Sequence, residues 1–133
     1  MITLDKSMEV GVAKIDSQHK ELIDRINAVT SMGLKSVSKE ETQKTIDLLG
    51  EYIIKHFRDE EALHKQAGFP KAEYHKTQHK IFIDEFEKMK KEFALNGPSP
   101  AFTLSLSNSI IKWIVSHIKF ADVEFGKFYN EKR

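Results

Sequence analysis

Apolar residues recur along this chain at alternating steps of three and four residues, and short polar or glycine- and proline-containing segments interrupt them. Such steps place apolar side chains on one face of a helix, where a neighbouring helix can cover them. They predict helices at about 17–35, 39–66, 71–95 and 101–120. Four amphipathic helices with short connections are typical of an up-down-up-down four-helix bundle. We therefore predict an all-α fold that forms a single domain over residues 1–133.

Local signals predict where some of these helices begin and end. Residues 1–15 show no helical periodicity, which predicts an extended N-terminal arm, and Asp16 or Ser17 is expected to cap the helix that follows. The segment Ser38–Glu41 has the Ser-x-x-Glu form of a capping box, which predicts the start of the second helix. Gly68 is typical of a helix C-terminus and is expected to end that helix.

Histidine and glutamate side chains interrupt the apolar stripes where leucine or isoleucine would be expected. These positions are His19, His56, Glu60, His75, His79 and His117. Burying one polar side chain without a partner costs about 1–3 kcal/mol, whereas a domain is stable by only about 5–15 kcal/mol. Together these six side chains would consume most of that stability if they had no partner. We therefore predict that bound metal satisfies them.

The positions of these residues along the helices indicate that they meet. His19 lies near the start of the first helix, and the pair His56 and Glu60 lies near the end of the second. The pair His75 and His79 lies near the start of the third helix, and the last histidine lies near the end of the fourth. In an up-down-up-down bundle these four ends share one pole. Each four-residue spacing also stacks its two side chains on one helix face, so the sequence predicts a metal clamp at that pole.

Asp122 is a further candidate ligand, although its spacing from His117 does not suit a regular helix. Five residues of α-helix rotate a side chain by about 140°, which would carry Asp122 off the buried face. For this carboxylate to join the cluster, the backbone must loosen between Lys119 and Ala121. We therefore predict a wide turn or a helix end in that segment.

Composition excludes several classes of protein. The chain has 21 basic and 20 acidic residues, and this balance does not suit a nucleic-acid-binding protein. It has no cysteine, which excludes disulfides, zinc fingers and thiol catalysis. No apolar run approaches the roughly 18 residues that a membrane span needs, and the N-terminus lacks the apolar core of a signal peptide. We expect a soluble, cytoplasmic protein.

With these residues laid out, the chain resembles the hemerythrins, specifically the single-domain bacterial type. The pattern of that family is a lone histidine followed by His-x-x-x-Glu, His-x-x-x-His and His-x-x-x-x-Asp. Neighbouring segments such as Ile15-Asp-Ser-Gln-His19 and Trp113-Ile-Val-Ser-His117 are similar to the family as well. All seven ligand positions of the pattern are present here, namely His19, His56, Glu60, His75, His79, His117 and Asp122.

The resemblance implies a non-haem di-iron centre that binds O2 reversibly and serves oxygen carriage, storage or delivery rather than catalysis. In the family, three histidines hold one iron, two hold the other, and two carboxylates bridge the irons together with an oxo or hydroxo group. The matching residues are, in that order, His75, His79 and His117, then His19 and His56, then Glu60 and Asp122. This ligand count leaves one position open, on the iron held by two histidines. The implied cofactor is thus a pair of iron ions in the Fe2+ or Fe3+ state.

An apolar pocket is expected beside that open position. Ile114, one turn before His117, matches a pocket-lining aliphatic position of the family, and Ile118, Trp113 and Phe57 are candidate neighbours. Such surroundings limit the supply of protons to bound oxygen.

His64 is the sixth histidine, at a position where the family usually carries methionine. It follows Glu60 by one helical turn, so it could point toward the cluster as a proton donor behind the ligands or as an extra ligand. The alternative is a partly exposed histidine near a helix C-terminus, where the helix dipole favours it. We favour the second interpretation.

Other functions remain open at this point. The irons could sense O2 or redox state and report it to an unknown signalling partner, or the centre could act as a peroxidase or oxidase. Metal sequestration is a further alternative, since histidine and carboxylate ligands also suit zinc or manganese. The expected partner is O2, without nucleic acid or membrane, and a homo-oligomer is compatible with the sequence.

Overall fold

The computed structural model describes residues 2–35, 38–96 and 99–131. Within these ranges the chain is helical apart from the arm and the short connections, and no strand occurs. A short 3-10 turn at Lys6–Met8 precedes the helices. The helices are α1 at Ala13–Leu34, α2 at Lys39–Ala67, α3 at Ala72–Asn96, α4 at Pro100–His117 and α5 at Val123–Glu131, with a π-helical segment at Ile118–Asp122 between the last two.

The four long helices pack as the predicted bundle. Helix α1 packs against α2 and α4, and α3 packs against the same two helices, so each helix contacts its neighbours in the chain. The short connections reverse the chain between consecutive helices, which gives the up-down-up-down order. The prediction of an all-α four-helix bundle is therefore confirmed. Every helix in the described ranges is too short or too polar to cross a lipid bilayer.

Two apolar clusters fill the interior of the bundle. The larger fills the centre of the bundle and includes Leu22, Ile53, Phe82 and Ile110. The smaller cluster closes one pole, where side chains of the arm meet the start of α1, the α2–α3 turn and α5; its buried members are Val10, Val12, Ile15, Phe69 and Phe125. The arm thus shields this end of the bundle from water.

Helix α1 begins at Ala13, earlier than the predicted start near Asp16. Its N-cap is Val12, which makes no side-chain capping hydrogen bond. The Asp16 carboxylate instead accepts hydrogen bonds from the backbone N–H groups of Val10 and Gly11, at 2.8 and 3.1 Å. These bonds attach the arm to the first turn of α1. Asp16 therefore fixes the arm from inside the helix, a role that capping rules did not anticipate.

The predicted boundaries of α2 agree with the structure. The Ser38 hydroxyl accepts a hydrogen bond from the Glu41 N–H at 3.2 Å, as an N-cap should. Gly68 ends the helix in the left-handed conformation, with φ of 67°, and its N–H donates to the carbonyls of His64 and Lys65. A residue with a side chain rarely adopts this φ, which explains the glycine.

The periodicity predicted a fourth helix that ends at residue 120, but α4 ends at His117 and the helical run extends well beyond residue 120. The chain continues through the π-helical segment into α5, which runs to Glu131. The predicted loosening around Lys119–Ala121 falls within this π-helical segment and is confirmed. Helix α5 was missed because it has only nine residues and buries its own face, with Phe125 and Gly126, against the arm.

Candidate metal centre

The structure brings all seven predicted metal-binding residues together in one buried layer. His117 is 6% exposed and the other six are at most 1% exposed. Each long helix contributes at least one of these residues from the end that lies at the shared pole of the bundle, and the π-helical segment contributes the aspartate. The members are His19, His56, Glu60, His75, His79, His117 and Asp122.

These residues form two groups that share their carboxylates. One group combines three histidines with the two carboxylates, and the other combines two histidines with the same two carboxylates. Within each group, one candidate ligand atom per residue lies within 4.8 Å of the others. The groups are His75, His79 and His117 with Glu60 and Asp122, and His19 and His56 with Glu60 and Asp122.

Each shared carboxylate directs one oxygen to each group. Glu60 Oε1 lies 3.1 Å from His79 Nε2, and Glu60 Oε2 lies 3.5 Å from His56 Nε2. Asp122 Oδ1 lies 3.2 Å from His117 Nε2, and Asp122 Oδ2 lies 3.0 Å from His19 Nε2. This arrangement is the one that a carboxylate bridging two metal ions requires.

Many polar atoms of this layer have no hydrogen-bond partner among the described residues. They include both ring nitrogens of His19 and His75 and both carboxylate oxygens of Glu60, together with single atoms of His117 and Asp122. Short N–O distances are present, but the geometry of these pairs does not satisfy the atoms. Because unpaired buried polar groups are costly, imidazole and carboxylate atoms converging in this way fit a metal site. The residues present therefore suit a pair of metal ions.

The π-helical segment determines that Asp122 enters the layer. Its wider turns place the residue five positions after His117 on the buried face. Asp122 is 1% exposed, whereas Ala121 lines a surface cleft. In a regular α-helix, residue 121 would face the buried layer and residue 122 would turn away from it, so the carboxylate would leave the site.

Two polar side chains that the sequence analysis did not identify bond candidate ligand histidines through the ring nitrogen that faces away from the site. His56 Nδ1 donates a hydrogen bond to Gln18 Oε1 at 2.8 Å, and Gln18 Nε2 donates to Asp59 at 2.7 Å. His79 Nδ1 donates to Glu61 Oε2 at 2.8 Å. Each bond keeps the proton on Nδ1 and leaves Nε2 free to face the site. Their adjacency to His19 and Glu60 in the sequence was the only available signal.

The electrostatics of the metal-free cluster are those of tightly packed opposite charges. Burial disfavours the imidazolium of His79, but its contacts with Glu60 and Glu61 outweigh burial and raise its pKa to about 9. Burial lowers the pKa of His56 to about 4. Burial alone would raise the pKa of Glu60, yet the contacts with His75 and His79 hold it well below the usual value. The carboxylates are therefore ionised and ready to bind cations.

His64 is buried rather than partly exposed, which corrects our preferred interpretation of it. Its relative exposure is 0%, and its ring contacts Phe69, Phe125 and His75. Burial lowers its pKa to about 4. The ring belongs to neither candidate ligand group, and Phe125 of α5 packs against it.

The four residues predicted to line an O2 pocket occupy two kinds of position. Ile114 and Ile118 are fully buried in the central apolar cluster. Phe57 stacks on His79 with ring centroids 3.8 Å apart. Trp113 stacks on His117 at 4.6 Å and, with His75 and His117, lines a surface cleft of about 810 Å³. The two aromatic residues therefore support ligand rings of the three-histidine group.

Comparison with known proteins is consistent with this geometry. A family profile described as the hemerythrin HHE cation binding domain matches residues 10–128. A bacteriohemerythrin of Stenotrophomonas maltophilia is 26% identical over 130 residues, covering 95% of this chain and 80% of the relative. A bacteriohemerythrin of Campylobacter jejuni is 28% identical over 130 residues, covering 96% of this chain and 95% of the relative.

Solved structures give the same answer for the fold. The crystal structure of a wild-type hemerythrin superposes with a TM-score of 0.86 and 22% identity, covering 97% of this chain and 98% of that one. A leucine-to-alanine mutant of hemerythrin superposes equally well, with the same TM-score. With the family profile spanning most of its length, this chain belongs to the hemerythrin HHE cation-binding family.

Proposed function

We propose that this chain binds O2 reversibly at a non-haem di-iron centre and serves oxygen carriage, storage or delivery. The observation that carries the proposal is the pair of buried ligand groups that share Glu60 and Asp122, each carboxylate directing one oxygen to each group. Relatives named bacteriohemerythrin support it.

The two groups are unequal, and this inequality indicates where O2 would bind. The first group offers five protein ligands and the second offers four. His75, His79 and His117 would hold one iron, and His19 and His56 would hold the other. The second iron therefore keeps more room for a small external ligand. When bound, two ferrous ions supply the electrons that reversible O2 binding requires.

The surrounding residues favour reversible binding over further reaction. Five imidazoles, each neutral once it binds metal, and only two carboxylates would hold the irons, so the protein would supply little negative charge to stabilise high-valent iron. Burial of the layer limits access of water, and the buried isoleucines Ile114 and Ile118, close to His117 in the sequence, would add apolar surface. Gln18 and Glu61 hold two ligand rings in place, so the geometry need not rearrange when O2 enters or leaves.

Anaerobic reconstitution with ferrous iron followed by aeration tests the proposal. We expect two irons per chain and a visible charge-transfer absorption that appears with O2 and fades on degassing, through repeated cycles. Asp122→Asn should abolish this behaviour because an amide bridges two cations poorly, whereas Asp84→Asn, at an exposed position on α3, should preserve it. Irreversible oxidation at the first aeration would contradict reversible binding.

Peroxide turnover in the same preparation separates carriage from the enzymatic alternative. We expect no sustained turnover by the iron-loaded protein, because peroxide cleavage consumes protons and burial of the layer limits their supply. Multiple turnovers that depend on His19 and His56 would replace our proposal with a peroxidase.

A further inference from the structure

His64 is a buried polar side chain that neither the fold nor the ligand groups explain. It lies on α2, one turn beyond Glu60, and its relative exposure is 0%. Neither of its ring nitrogens has a hydrogen-bond partner among the described residues. Burying polar atoms without hydrogen-bond partners is unfavourable, and an apolar side chain at this position would avoid that cost. The imidazole is therefore expected to have a role of its own.

The ring contacts of His64 limit what that role can be. Phe125 lies 4.3 Å away between ring centroids and Phe69 lies 5.2 Å away, and both are apolar. The third ring is His75, at 4.5 Å and nearly perpendicular, with an interplanar angle of 82°. Of these three neighbours, only His75 carries polar ring atoms.

His75 is in turn a candidate ligand whose outer nitrogen needs an acceptor. Its Nδ1 lies 3.9 Å from both Glu60 Oε1 and Asp122 Oδ1, so this nitrogen faces the site. Its Nε2 is buried and has no hydrogen-bond partner among the described residues. A neutral imidazole that binds a cation through one nitrogen carries its proton on the other. His56 and His79 direct that proton to Gln18 and Glu61.

We propose that His64 is the positioning residue of His75: its unprotonated nitrogen accepts the outer N–H of His75 when metal binds. This inference rests on the metal centre proposed above. This bond requires the His64 ring to turn one nitrogen toward His75, whose ring centroid lies 4.5 Å away. The remaining N–H of His64 would have the ring of Phe125 as a neighbour, at 4.3 Å between centroids, and an aromatic ring face is a weak acceptor. A neutral imidazole has one N–H and one accepting nitrogen, so a single histidine can fill both roles.

Substitution of His64 tests this role, with Zn2+ as the probe and chelator competition as the measurement. His64→Leu removes the acceptor, and we expect Zn2+ affinity to fall by about 10- to 100-fold. The same change should raise the melting temperature of the metal-free protein, because two unpaired buried nitrogens disappear. His64→Gln keeps an accepting oxygen and should retain most of the affinity.

The matched control is Phe125→Leu, which shortens an apolar side chain packed against His64 and leaves both imidazoles intact. It should lower the stability of the metal-free protein with little effect on affinity for Zn2+. A purely structural His64 would make His64→Leu behave like this control. Unchanged affinity in His64→Leu, or a parallel loss of stability and affinity, would therefore overturn the inference.

A measurement on the unsubstituted, nitrogen-15-labelled, Zn2+-loaded protein needs no variant. The ring N–H of His75 should be protected from solvent exchange and show a coupling or shift that identifies a nitrogen acceptor. The ring protons of His56 and His79 serve as internal references. Failure of the wild-type chain to bind two Zn2+ would overturn the metal centre itself. Normal Zn2+ binding with an unpartnered His75 N–H would overturn only the role of His64.

Discussion

At the scale of single residues, the candidate ligands differ most in what lies behind them. Gln18 presents a neutral amide oxygen to His56, whereas Glu61 presents a carboxylate to His79. A charged acceptor draws the imidazole proton more strongly and makes the ring a better donor to a cation. The two groups of the centre therefore receive unequal support. The stronger support goes to the three-histidine group, away from the position proposed for O2.

Removing the support behind His56 should weaken metal binding. Gln18→Leu leaves the Nδ1 proton of His56 without an acceptor in a buried layer, so we expect Zn2+ affinity to fall by about 10- to 100-fold. Gln18→Glu keeps an acceptor for His56 but loses the N–H that bonds Asp59 and sets two carboxylates side by side, so it should restore only part of the affinity. Competition with a chromophoric chelator measures the Zn2+ affinity of both variants. Gln43→Leu is a suitable control, because Gln43 lies on the same helix as His56 and donates a hydrogen bond to Asp47, away from the candidate ligands. Equal affinities for Gln18→Leu and this control would refute the role of Gln18.

At the scale of helices, the C-terminal helical run performs two tasks that a straight helix could not combine. The π-helical segment at Ile118–Asp122 places Asp122 in the ligand layer. It also sets the direction of α5, whose Phe125 closes the pole over His64 and whose Gly126 lies against the arm. Wide helical turns are unfavourable alone and persist where tertiary contacts on both sides hold them. The arm and the metal layer supply those contacts here.

The contact between α5 and the arm should tolerate no side chain at position 126. A Cβ atom on Gly126 would lie 1.8 Å from the carbonyl oxygen of Val10, which is backbone and cannot swing aside. We expect Gly126→Ala to destabilise the metal-free protein by about 1–3 kcal/mol in urea denaturation. In Gly33→Ala the nearest atoms are side chains at 3.1–3.2 Å, and a gain in helix propensity of about 1 kcal/mol offsets their crowding. Equal losses in the two variants would contradict this reasoning.

At the scale of the whole molecule, we expect the fold and the proposed metal centre to stabilise each other. The candidate ligands come from every long helix, so bound metal would link all four at one pole. In the metal-free protein the same residues are a concentration of unpaired polar atoms. The global stability of this bundle should therefore depend on metal more than its sizeable apolar core would suggest.

Metal loading should raise the melting temperature substantially. Free ligand at a thousand times its dissociation constant stabilises a native protein by about 4 kcal/mol, which corresponds to roughly 10 °C or more for a domain of this size. Calorimetry of the chain with and without ferrous iron under anaerobic conditions measures the shift, and a strong chelator should reverse it. A melting temperature that ignores iron would show that the buried layer is satisfied in some other way.

Much of the candidate site could be predicted from the sequence because its signals are local. A four-residue spacing stacks His56 with Glu60 and His75 with His79 whatever the rest of the chain does. Alternation of helix direction then brings those pairs to the same pole. Even the π-helical segment was predictable, because a five-residue spacing to Asp122 is incompatible with a regular turn. The roles of these residues as iron ligands, and of the nearby isoleucines in an O2 pocket, stay predictions.

The sequence by itself determined the helices, the bundle and the layer in which the polar residues meet, because periodicity along one helix fixes which side chains share a face. Only the tertiary structure decided what lies behind that layer. Gln18 and Glu61 face ligands on other helices, and α5, which local periodicity did not predict, encloses His64. Such contacts depend on how separate helices approach one another and which way each side chain turns, and no spacing along a single chain encodes that geometry.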